Sequence, residues 1–118
     1  MLNELGIYIH IPFCKQKCYY CDFVSYSNKC SEVKEYIESL KKEIKEFDFS
    51  NYKVTSIYIG GGTPSYIDSI YIVEILSELK EKLKCNLIEF KDIEITIEVN
   101  PGTVDTKKLN DYKKSGIN

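Results

Sequence analysis

Apolar residues recur along this chain with two periods, and the period switches back and forth. Near the N-terminus Ile7, Ile9 and Ile11 alternate with Tyr8 and His10, which predicts a strand over Gly6–Ile11. From Val33 the spacing becomes three and four. Val33, Tyr36, Ile37, Leu40, Ile44 and Phe47 form one stripe, while Lys34, Glu35, Glu38, Lys41, Lys42, Glu43, Lys45 and Glu46 fall mostly on the other side. That is an amphipathic helix, with Ser31 as its N-cap, Glu32 in its first turn and a solvated charged face. A second strand is expected over Val54–Ile59, "VTSIYI", running into "GGGTPS". A second helix over about Asp68–Lys84 turns Ile72, Ile75, Leu76, Leu79 and Leu83 inward. The third strand, Ile93–Val99, ends at "NPGT". A third helix begins near Asp105, carries Leu109 and Tyr112, and stops at Gly116, a residue suited to the position just past a helix end.

The order is therefore βαβαβα, an α/β chain with a parallel sheet and crossover helices. The third strand narrows the choice. Parallel strands covered by helices on both faces are apolar throughout. Here Ile93, Ile95, Ile97 and Val99 make one row, and Glu94, Thr96, Glu98 and Asn100 the other. One apolar and one polar face fit a barrel with helices outside and a polar interior; an edge strand with a wet face is the alternative. Tyr8 and His10 on the second face of the first strand point to the barrel. Eight βα units take roughly 250 residues and six about 190. The 118 residues are thus expected to be the N-terminal half of a partial TIM-type barrel, residues 1–118 of a core domain ending before its fourth strand, near Ile117 and Asn118.

Composition adds exclusions. The chain is 43% hydrophobic and 29% charged, with net charge −2 and a pI near 5.5, so nothing marks a nucleic-acid binder. No stretch has the 18 or more apolar residues of a membrane span. The start, "MLNELGIYIHIPFC", carries Glu4 and no early Lys or Arg, unlike a secretory signal, and a cytoplasmic location is the default expectation.

Five cysteines are present, and three of them, Cys14, Cys18 and Cys21, follow C-x3-C-x2-C in the loop after the first strand. An odd number in a tight cluster argues against a disulfide framework. Cys30 and Cys85 stand apart and read as free thiols. For the cluster, zinc would require a fourth ligand, and His10 is the only histidine. A redox dithiol would use only Cys18 and Cys21. An iron–sulfur cube normally takes four thiolates; with three, one iron stays open for another ligand.

These residues resemble the signature of the radical S-adenosylmethionine superfamily. The resemblance implies that the three cysteines hold a 4Fe–4S cluster and that the amino and carboxylate groups of S-adenosylmethionine chelate the fourth iron. An electron from the cluster would then cleave the sulfonium to give a 5′-deoxyadenosyl radical. "GIYIHIPFC", "IGGGTPS" and "IEITIEVNPGT" follow in order, each at the C-terminal end of an expected strand, the rim where barrel sites are built. Together they resemble the branch containing oxygen-independent coproporphyrinogen III dehydrogenase and the related haem chaperone, and the likeness covers nearly the whole chain.

The resemblance also implies roles. Gly61, Gly62 and Thr63 match positions that meet the methionine end of the cofactor, and three glycines in a row let backbone N–H groups approach a ligand closely. Glu98 matches the glutamate that holds the ribose hydroxyls; an acceptor-only carboxylate suits two hydroxyl donors. Tyr8 matches a cofactor-contacting tyrosine and Tyr20 an aromatic beside the adenine, although both could serve in packing. Glu94 and His10 are read as supporting residues. The dehydrogenase pattern carries a further cysteine two residues after the third, where this chain has Phe23. "CYYCDF" resembles the chaperone subgroup. The favoured reading is therefore a protein that binds haem and delivers it to an acceptor protein. The alternative is the enzyme that converts two propionates of coproporphyrinogen III to vinyl groups. Either implies a haem or porphyrin ligand and an electron donor, with contacts beyond Asn118.

Overall fold

Leu5, Ile7, Ile9 and Ile11 hold one phase along β1 (Asn3–Ile11), but the apolar phase slips once along β2 (Tyr52–Gly61), between Val54 and Ile57. The computed structural model, which describes residues 3–13, 30–85, 88–99 and 104–118, shows why. β1 and β2 pair in parallel with Leu5 opposite Val54 and Gly6 opposite Ser56, so Thr55 is an extra residue on β2. This bulge restores the phase, and Val54, Ile57 and Ile59 all turn to the same face. β3 (Glu94–Ile97) pairs in parallel with the other edge of β2, Ile57 opposite Ile95, giving a sheet in the order β1-β2-β3. The expected α/β order is thus observed.

Helices α1 (Cys30–Glu46), α2 (Ser69–Lys84) and α3 (Thr106–Ser115) follow the three strands in turn, and α2 packs against both other helices. The core lies between helices and sheet. Ile11, Ile57, Ile59 and Ile95 from the strands meet Ile37, Ile72, Ile75, Leu76, Leu79 and Leu83 from α1 and α2, all essentially without solvent contact. Ser69 Oγ donates to Asp111 Oδ2 at 2.5 Å and Lys107 Nζ to the same oxygen at 3.0 Å, tying α2 to α3 and holding the Asp111 carboxyl below its ordinary range. The Asp105 carboxylate accepts from the Lys108 N–H at 2.8 Å as the N-cap of α3, and Gly116 closes that helix in the left-handed region at φ +117°. Asn118 lies on the outer edge of β3: its N–H donates to the Ile95 carbonyl at 3.0 Å, and its side-chain oxygen accepts from the Ile95 N–H at 3.1 Å.

Several expectations need correction. α1 starts at Cys30, so Ser31 lies inside the helix rather than capping it. The helix stops at Glu46; Phe47, expected on its stripe, is exposed and packs its ring 4.5 Å from that of Phe49, which is the buried residue of the pair. Leu109 is half exposed on α3, leaving Tyr112 as the buried anchor of that helix. The third strand ends at Ile97, and Val99 is exposed.

Tyr112 is 2% exposed, and its hydroxyl finds no hydrogen-bond partner among the described residues. Burial, helped by the carboxylates of Asp105 and Asp111, pushes its ionisation up to about 12. Replacing Tyr112→Phe removes an unpartnered buried hydroxyl and is expected to stabilise the protein by about 1 kcal/mol near neutral pH. The margin should widen with alkali. An unfolded tyrosine ionises near 10.0 and the folded Tyr112 near 12, so between these values ionisation draws the wild type, and not the variant, toward the unfolded state. Urea unfolding of both proteins at pH 8 and pH 11 checks this, and an unchanged difference between the two would refute it.

Candidate functional site

The sheet face away from the helices carries the polar side chains in register. Gly6, Ser56 and Glu94 form one cross-strand row, and Tyr8, Tyr58 and Thr96 the next. In the third, toward the C-terminal rim, His10 pairs with Gly60, and Glu98 follows one step past the Ile59–Ile97 pair. The Glu98 N–H continues the ladder by donating to the Ile59 carbonyl at 2.9 Å. The two-faced pattern expected of the third strand is observed: Ile93 and Ile95 are buried, while Glu94, Thr96 and Glu98 are exposed.

Three groups converge over Gly60. The Tyr58 hydroxyl donates to Glu98 Oε2 at 2.9 Å, and the Gly61 N–H donates to Glu98 Oε1 at 3.2 Å. The Tyr8 ring stacks on that of Tyr58, with centroids 5.9 Å apart and planes 16° from parallel. A Cβ at Gly60 would lie 2.9 Å from each of Glu98 Oε1, Tyr58 Cε1 and the Tyr8 hydroxyl, so only glycine lets them meet. The bond to Glu98, followed by desolvation, raises the ionisation of Tyr58 and keeps it a donor. Each carboxylate oxygen thus accepts one bond from the protein and keeps acceptor capacity for a ligand.

The glycine turn does something the sequence reading did not anticipate. Its N–H groups were expected to be available to a ligand, but they are engaged within the protein. Gly61 donates to Glu98, Gly62 donates to the Ile11 carbonyl at 2.8 Å, and Thr63 donates to the Phe13 carbonyl at 2.8 Å. The turn therefore clamps the end of β1, and it carries no side chain until Thr63. Helix α1 grips the same stretch: the Tyr36 hydroxyl donates to the His10 carbonyl, and the Tyr36 ring meets Phe13 edge-on, centroids 5.6 Å apart at 87°. Burial, then the Glu43 charge, raises the ionisation of Tyr36, so it too stays protonated. The His10 Nδ1 lies 3.5 Å from the Tyr8 hydroxyl, at the margin of a hydrogen bond.

Of the residues expected at the site, Tyr8, Gly61 and Glu98 come together at one rim of the sheet, with Gly62 and Thr63 next to them in the turn. Cys14, Cys18, Cys21 and Tyr20 lie outside the described residues. Two residues were missed. Tyr58 could have been found by the alternation that places it on the face of Gly60, two positions away. Tyr36 carried no signal beyond its place on an amphipathic stripe.

In sequence Cys14, Cys18 and Cys21 follow the end of β1, and three thiols would leave one iron of a cube for a non-protein ligand; the rim itself holds an oriented acceptor, an aromatic stack and a glycine floor. The residues fit a cluster with a nucleoside-bearing cofactor.

Comparison with known proteins gives the family. The profile of the radical SAM superfamily matches residues 8–118. The haem chaperone HemW of Buchnera aphidicola subsp. Schizaphis graminum is 46% identical over 121 residues, covering 99% of this chain and 31% of that protein. Oxygen-independent coproporphyrinogen III oxidase of Salmonella typhimurium is 31% identical over 119 residues, covering 98% of this chain and 25% of that protein. Among solved structures, coproporphyrinogen III oxidase (HemN) from Escherichia coli, described as a radical SAM enzyme, superposes with a TM-score of 0.76 at 31% identity, covering 99% of this chain and 27% of that one. This chain thus spans between a quarter and a third of the length of these relatives.

Proposed function

Because this chain belongs to the radical SAM superfamily, we propose that it forms part of a haem chaperone. In this reading Cys14, Cys18 and Cys21 hold a 4Fe–4S cluster, and Tyr8, Tyr20, Gly61, Gly62, Thr63 and Glu98 hold S-adenosylmethionine. The observation that carries it is the Glu98 carboxylate, fixed by Tyr58 and Gly61 at the rim where β1 leads into the three cysteines. When bound, the cluster and cofactor supply one-electron chemistry at the sulfonium. The chain's own residues bind and orient. Glu98 accepts from the ribose hydroxyls, and Tyr8, stacked on Tyr58, walls the nucleoside side. Gly61 and Gly62, which carry no side chains, meet the methionine end together with Thr63, while the N–H groups of Gly62 and Thr63 hold the Ile11 and Phe13 carbonyls.

The chaperone is favoured over the oxidase by two sequence facts. Phe23 stands where the dehydrogenase pattern has a further cysteine. Identity is 46% to a haem chaperone against 31% to the oxidase. The test uses the whole protein purified without oxygen, its cluster reconstituted and reduced with dithionite, then given S-adenosylmethionine with haem or with coproporphyrinogen III. The expected outcome is a stable haem Soret band, transfer of haem to an apo-acceptor, and no vinyl porphyrin by chromatography. Stoichiometric vinyl product, with one deoxyadenosine for each propionate lost, would identify the oxidase instead.

A further inference from the structure

We propose that Tyr58 is a positioning residue that sets the Glu98 carboxylate for a vicinal diol. The inference rests on the reading of the rim as a nucleoside site. It assigns a role to a residue that makes no expected contact with the cofactor.

An ionised carboxylate offers about four lone-pair positions, two on each oxygen. Tyr58 occupies one on Oε2 and the Gly61 N–H one on Oε1. The two that remain are divided one to each oxygen, which is the arrangement two neighbouring hydroxyls require. Without the phenol, Glu98 would be held at Oε1 alone. Its side chain is exposed and follows the last residue of β3, so rotation of the carboxylate would meet little resistance. Tyr58 itself is well braced: it lies mid-strand in β2 between two paired strands, with its ring stacked on Tyr8. A rigid aromatic donor thus orients a mobile acceptor.

The geometry also explains the glycine before the turn. The Tyr58–Glu98 bond passes across Gly60, and any side chain there would meet both partners. A glycine at that position and a hydroxyl-bearing ring two residues earlier are parts of one device. Tyr58 is 42% exposed, so deleting its hydroxyl leaves the core untouched.

The test compares the wild type with Tyr58→Phe, both as whole proteins with reconstituted clusters. Equilibrium dialysis measures binding of S-adenosylmethionine and of its analogue lacking both ribose hydroxyls. Loss of one hydrogen bond to a charged but exposed group predicts about 3- to 10-fold weaker binding of S-adenosylmethionine by the variant. Affinity for the dideoxy analogue should be unchanged, because without a diol the orientation of the carboxylate is immaterial. In a Glu98→Ala background the Tyr58→Phe change should add nothing. Equal losses for the two ligands would make Tyr58 a wall of the pocket and overturn the proposal, as would an unchanged affinity for S-adenosylmethionine. If Glu98→Ala weakens binding and Tyr58→Phe does not, the cofactor reading stands and this inference alone fails. A wild type that does not discriminate the two ligands would overturn both.

Discussion

Gly61→Ala is expected to destabilise the protein by roughly 2–4 kcal/mol, combining a strained backbone with a backbone clash. Gly61 sits at φ +122°, a region that L-residues rarely adopt. A Cβ there would also lie 2.6 Å from the Ile11 carbonyl oxygen and 2.8 Å from the Ile11 nitrogen. These are main-chain atoms in a paired strand and cannot swing aside. Relief requires β1 and β2 to separate at the rim, which would loosen the 2.8 Å bond from the Gly62 N–H to Ile11 and the 3.2 Å bond from the Gly61 N–H to Glu98. Gly60→Ala provides the contrast. Its Cβ would meet the ends of the Glu98, Tyr58 and Tyr8 side chains, all on the exposed face, and these can rotate away. Gly60→Ala should therefore keep most of the stability while weakening nucleoside binding, and Gly61→Ala should lose both. Urea unfolding and S-adenosylmethionine binding on the two variants decide it; comparable stability losses at both positions would show that the strain at Gly61 has been overstated.

The same pair of glycines shows how far the sequence could be read. Three glycines followed by Thr-Pro announced a turn between strand and helix, and the alternation of Ile93, Ile95 and Ile97 with Glu94, Thr96 and Glu98 assigned the faces of β3. Both signals are local, and the structure bears both out. The slip of phase within "VTSIYI" was local too, but its resolution was not. Only the pairing of Gly6 with Ser56 shows that Thr55 is the extra residue. The contact of Tyr58 with Glu98 spans 40 residues and depends on the register of two separate strand pairs, which no period within one segment encodes. The N–H groups of the turn were misread for a related reason. The acceptors of Gly62 and Thr63, Ile11 and Phe13, lie some fifty residues earlier in the chain, and that of Gly61, Glu98, lies 37 residues later. Phe47 failed differently: it kept the helical spacing but lies past the end of its helix, where it is exposed.

The cysteines give the largest expected effect. Replacing Cys14, Cys18 or Cys21 singly with Ala should abolish the cluster, seen as loss of bound iron and of the broad visible absorption of thiolate-bound iron, because a cube that already has one open iron cannot lose a second ligand and remain anchored. Cys30→Ala and Cys85→Ala should leave both signals intact. Cys85 is free and exposed at the C-terminal end of α2, which starts near the glycine turn and runs away from it for 16 residues, about 24 Å at 1.5 Å per residue. Cys30 is the more searching control. It opens α1, whose first turn lies at the rim end of the sheet, since the helix runs back to deliver the chain into the start of β2 at Tyr52. A cluster lost in Cys30→Ala but kept in one of the other three variants would replace the C-x3-C-x2-C assignment. A cluster kept in both Cys30→Ala and Cys85→Ala leaves Cys14, Cys18 and Cys21 as the ligands, just after the Ile11 and Phe13 carbonyls that Gly62 and Thr63 hold. Glu98→Ala then separates the two halves of the site: it should retain iron at the wild-type level while S-adenosylmethionine binding falls, because the carboxylate orients the nucleoside and touches no metal.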